Sequence, residues 1–173
     1  NTDLQPIGHT CKTIYFIREG DARNIGTDKE KEDIWFTELS ETGEWGEAKN
    51  LGTPVNNNSN NGIISIAPDN SYMIVKHVYD EKGEYKEPGF SISYREKNGW
   101  SLPKKIEIDN FYNDADYVEA SMSPDGNVFI FTIERKDTHQ LAPNLPGCRG
   151  HAGGGDSLFC FESRRKFSPS GHS

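Results

Sequence analysis

Five histidines, three cysteines and several acidic or amide-rich loops are the residues of this chain with chemistry to offer. Nucleophilic catalysis needs a Ser or Cys beside a His and an orienting acid. The chain has no Gly-x-Ser-x-Gly elbow, and its histidines His9, His77, His139, His151 and His172 lie mostly in the leading and trailing segments. His77 alone falls in an apolar, strand-like run, where a rim or core histidine accounts for it. Cys148-x-x-His151 with Cys160 and His172 would make a Cys/His tetrad for zinc, but at irregular spacing. The run Asn56 to Asn61, and Asp109, Asp114 and Asp116, could offer oxygens to calcium. Neither has the Gly and Glu placement of the twelve-residue calcium loop, and polar turns between strands explain both. Gly153-Gly154-Gly155 lacks the following Lys-Ser/Thr of a phosphate cradle. The expectation is a chain that is not an enzyme and carries no metal or cofactor.

The elements that would position these residues read as short strands. Residues 118–123 and 128–133 form a hairpin joined at Pro124-Asp125-Gly126, because proline presets φ for a turn while Asp and Gly accept its unusual dihedrals. Moving back 56 positions gives a second hairpin, with Ser65, Pro68, Asp69 and Ile74 matching Ser121, Pro124, Asp125 and Ile130. Apolar or alternating runs at 13–18, 33–39, 45–51, 90–95 and 100–108 add further strands. Trp45, Lys49 and Leu51 correspond to Trp100, Lys104 and Ile106 with a one-residue gap. The unit is four short strands in about 56 residues, the period and strand count of a propeller blade. The expected organisation is a lead-in at 1–12, blades at 13–139, and a Gly/Pro/Ser-rich tail at 140–173. In that tail, 157–162 reads either as a degenerate third strand or as part of an unfolded segment.

Composition bounds the partners. Hydrophobic residues make up 33% and charged residues 27%, which suits thin sheets with many loops. The net charge of -8 is uneven: residues 1–139 carry 15 Lys and Arg against 25 Asp and Glu, while 140–173 carry 4 against 2. Phosphate backbones need a clustered basic face, which argues against nucleic acid. No apolar run approaches the roughly 18 residues of a membrane span, and no charged and apolar leader opens the chain. Starting at Asn1, the chain reads as a mature or excised product, which leaves export open. Cys11, Cys148 and Cys160 are an odd set without a Cys-x-x-Cys pair, so the state of Cys148 and Cys160 stays open.

The turn Ser123-Pro124-Asp125-Gly126, its degenerate copy Ala67-Pro68-Asp69-Asn70 and the strand Asp33-Ile34-Trp35 resemble the repeats of TolB-like, WD-repeat-like β-propellers. The phrases Trp45-Gly46-Glu47-Ala48-Lys49-Asn50-Leu51-Gly52 and Pro54-Val55-Asn56 are similar to the blade junction of propeller segments that precede OmpA-like domains in Gram-negative envelope proteins. The resemblance covers roughly residues 13–138 and implies an all-β fold, an incomplete propeller of about two and a half four-stranded antiparallel blades. It also implies a non-catalytic binding or scaffold module, in the periplasm or at the outer membrane, that holds a protein, peptide or glycan. An accessory propeller of a prolyl-peptidase-type hydrolase is the alternative, and a truncated fragment that self-associates through open blade edges is a third. Propellers bind on the rims of loops and strand ends, which makes Arg18, Asn60, Asn61, Tyr94, Arg95, Tyr117, Glu119 and Arg135 the candidate contacts.

Overall fold

The structure, a computed structural model, describes residues 8–10, 12–26, 28, 30–115, 118–126, 128–134 and 156–162, the first and last of these ranges as backbone. The described residues contain no helix, and every strand pair is antiparallel. Three sheets follow one another along the chain. The first is β1 (Gly8–Thr10), β2 (Thr13–Glu19), β3 (Glu32–Glu38) and β4 (Lys49–Asn50) in sequential order. The second is β5 (Ile63–Ile66), β6 (Tyr72–Tyr79), β7 (Tyr85–Glu96) and β8 (Gly99–Trp100), with β9 (Lys104–Lys105) also on β7. The third is β10 (Glu119–Met122), β11 (Val128–Glu134) and β12 (Asp156–Glu162). β1 lies inside the segment read as a lead-in, and β12 runs the full length of β11 in register, with Ile130 opposite Cys160.

Two expected strands are broken. In place of a strand over 45–51 there is a single bridge, Leu39 to Trp45, and then β4; in place of one over 100–108 there are β8 and β9. The second break falls at Pro103, which has no N–H to give a ladder. At the first, the Thr37 hydroxyl donates to the Gly46 carbonyl at 2.7 Å, beside the Gly46 amide donating to the Glu38 carbonyl at 2.9 Å. Conversely, β7 begins at Tyr85, ahead of the expected strand 90–95, because Asp80 closes a tight turn. Its carboxylate accepts from the Lys82 and Glu84 amides at 2.8 and 3.0 Å, and Gly83 adopts φ +83°.

The two hairpins at 56-residue separation have the same geometry. Ser65 pairs with Ile74 and Ser121 with Ile130; Ile66 pairs with Met73 and Met122 with Phe129. Their turns share a left-handed residue, Asn70 at φ 60° and Gly126 at φ 71°. The outer strands correspond too: the Leu51 amide donates to the Ile34 carbonyl, and the Ile106 amide to the Phe90 carbonyl, both at 2.9 Å.

Strand alternation sends successive side chains to opposite faces, and the second sheet uses both. Met73 and Val75 of β6, with Ile63, Ile66 and Trp100, pack on Tyr15 and Ile34 of the first sheet. Ile74, with Ile64 and Phe90, packs on Phe129, Phe131 and Ile133 of the third. In that second layer Phe90 meets Phe129, Phe131 and Phe111 at ring separations of 4.8, 5.5 and 5.7 Å. Burial of this kind is worth about 1.5–3 kcal/mol per large side chain.

Candidate functional site

Each sheet has a turn end, carrying the Asp69 and Asp125 turns, and a loop end, carrying the connectors 20–31, 80–84 and 109–115. Arg18, Asn60, Asn61 and Glu119 belong to the loop end, Tyr94 and Arg95 to the turn end. Tyr117 and Arg135 lie outside the described residues. The six described candidates thus lie at two opposite ends of the sheets.

At the loop end most of the polar side chains hold the fold together. Arg18 stands 4.4 Å over the Trp35 ring and 2.9 Å from Asp21, which Arg23 also engages at 3.0 Å. The Arg23 hydrogen bond, with its backbone amide and Arg18 adding to it, holds the Asp21 carboxyl well below the usual carboxylate range. Trp35 donates from Nε1 to the buried Asn24 side chain at 2.9 Å. Asn60 accepts from the Glu32 amide at 3.3 Å. Asn61 is fully buried; its Oδ1 accepts from the Asn57 amide at 2.9 Å. The neighbouring Asn56, read from sequence only as part of a polar turn, accepts from the Ile34 amide at 3.0 Å and donates to the Ile34 carbonyl at 2.8 Å, so its carboxamide stands in for a peptide group. The side-chain oxygens of Asn56, Asn57, Asn60 and Asn61, which sequence could offer to calcium, are thus engaged by backbone amides. No group of three or more His, Cys, Asp or Glu that could hold a metal occurs among the described residues.

His77 sits at a bulge, between the pairs of Lys76 with Phe90 and Val78 with Glu87, in a left-handed conformation of φ 73°. Its Nδ1 is buried without a hydrogen-bond partner, and its ring meets Tyr85 edge-on at 5.2 Å. Desolvation, reinforced by the Lys76 charge, lowers its pKa below the ordinary value. Glu119 lies 3.7 Å from Lys76.

Beside the β6–β7 register shift, a cleft of about 350 Å3 opens between Pro88-Gly89 and residues 110–113. Its floor is apolar, formed by Val78, Phe90, Ile106 and Phe111. Its rim carries Lys105 between Glu87 at 3.1 Å and Glu107 at 3.9 Å. The Glu87 bond raises the Lys105 pKa, so the ammonium is a fixed feature of the rim. Gly89 is required there: at φ +149° any Cβ would approach the Val78 Cγ2 to 2.9 Å. Asn110, also lining the cleft, is left-handed at φ 58°. A cleft lined by both apolar and charged side chains, with backbone held in rarely used conformations, suits the binding of an amphipathic segment.

The chain matches no family model, no curated protein and no solved structure.

Proposed function

We propose that the chain is a non-catalytic binding module built from propeller-type blades, which uses the loop-end cleft to hold a protein, peptide or glycan partner. The observation that carries this reading is the cleft itself. Its floor is apolar, and its charged groups are paired with one another at 3.1 and 3.9 Å rather than aimed inward at a reacting atom. The blade reading is supported by three antiparallel meanders stacked face to face, and by the equal register of hairpins 56 residues apart. The resemblance of the Ser-Pro-Asp-Gly and Asp-Ile-Trp motifs to TolB-like segments supports a place in the cell envelope.

The test is to probe immobilised peptide and glycan panels with the full chain and with Lys105→Glu, an exposed rim substitution. A ligand retained by the natural chain and bound about tenfold more weakly by the variant, a change of about 1.4 kcal/mol, supports the reading. Equal retention by both proteins would remove the cleft as the site, and chemical change of a panel member would overturn the non-catalytic assignment.

A further inference from the structure

Arginine stacks on tryptophan in both of the first two sheets, and the two arrangements differ in one respect. On Trp35 the donors are satisfied from within the chain. The indole N–H reaches Asn24 at 2.9 Å, Arg18 reaches Asp21 at 2.9 Å, and Arg23 reaches Asp21 and Glu47 at 3.0 and 3.2 Å. On Trp100, at the turn end between the first and second sheets, they are not. Arg95 stands 5.1 Å over the ring, is exposed, and has no carboxylate among the described residues within ion-pair distance. Trp100 is 6% exposed, and its Nε1 is buried with no hydrogen-bond partner. A buried donor left unmade is costly, about 1–3 kcal/mol, and such groups are rare enough in folded proteins to call for an explanation.

The geometry points to a site at Arg95 and Trp100 for the carboxylate of an acidic peptide side chain. A carboxylate accepts from a guanidinium by two parallel bonds and keeps lone pairs for a third donor. It would supply here what Asp21 and Asn24 together supply on Trp35. The depth of the site selects the carrier. The indole nitrogen is covered, so the group that reaches it must come on a slim, flexible stem, as a Glu or Asp side chain does. A carboxylate fixed directly to a bulky ring, as in a uronic acid, is held too far out. Tyr15 stands edge-on to Trp100 at 6.2 Å, its hydroxyl already donating to Asn70 at 3.2 Å. This site stands apart from the loop-end cleft and does not depend on it.

The experiment follows the indole N–H signals of the full chain, labelled with nitrogen-15, three in number for three tryptophans. Trp100→Phe identifies the signal concerned. Titration with acetyl-Ala-Glu-Ala-amide is expected to shift that signal downfield and saturably, with the Gln peptide of the same length inactive. Arg95→Ala is expected to weaken the effect at least tenfold, whereas Trp45→Phe leaves it unchanged. The proposal falls if the Trp100 signal does not move, if the Gln peptide moves it equally, or if the shift persists in Arg95→Ala. A shift produced by glucuronate and not by the Glu peptide would overturn the choice of ligand.

Discussion

At the scale of single residues, most of the described polar side chains at the loop end turn out to be joints. Asn56 shows why sequence could not reveal this: a carboxamide that imitates a peptide group across 22 residues leaves no local pattern, since its partner Ile34 is far away in the chain. His77 was legible as a strand residue, but not as the left-handed residue of a bulge, because the bulge is set by the pairing of β6 with β7 and residue type alone does not locate it. Its burial has a consequence for stability. The unfolded chain binds a proton on this ring more readily than the folded chain does, so stability rises with pH wherever that difference operates. Stability is therefore constant with respect to His77 above its ordinary pKa, about 6.5, and declines as pH falls below that value toward the lowered folded one. Urea unfolding of the natural chain and His77→Gln between pH 7.5 and 5 should show a decline in the first that is smaller in the second. Parallel curves would mean that the ring is solvated.

At the scale of elements, the hairpins were the clearest signal, since Pro-Asp-Gly and Pro-Asp-Asn determine both the turn and the register of the strands that enter and leave it. The isolated pairs β4 and β9 were not separable from their neighbours in sequence. They exist only because β3 and β7 offer an edge, a long-range cause that alternation does not record. The turn at Gly126 carries a definite cost for any side chain. Its φ of 71° is left-handed, and an added Cβ would stand 3.1 Å from the Tyr72 hydroxyl. Gly126→Ala is expected to lower stability by about 1–2 kcal/mol, measurable as a shifted denaturation midpoint at constant slope. An unchanged midpoint would show that the turn relaxes to another conformation.

At the scale of the molecule, the all-β class was readable from composition and alternation, whereas the stacking of sheets was readable only as an implication of the 56-residue correspondence. Strand pairing gives that correspondence an energetic expression. Ile74 and Ile130 occupy the same place in their hairpins, opposite Ser65 and Ser121. Ile74 is 0% exposed beneath the third sheet, while Ile130 is 38% exposed on the far side of it. Ile74→Ala should therefore cost about 2–5 kcal/mol, the range for a fully buried position, and Ile130→Ala less than about 1 kcal/mol. Equal losses would mean that the outer face of the third sheet is covered in solution.

The second sheet, apolar on both faces, has a consequence in time as well as in energy. An amide in β6 is shielded by its ladder partners and by a layer on each side, so local fraying of either neighbouring sheet leaves it closed to solvent. Ile74 and Val75, both 0% exposed, would exchange their amide hydrogens only when the whole stack comes apart. Their exchange lifetimes would then serve as a clock for global opening, while those of β10 would report the departure of one outer layer.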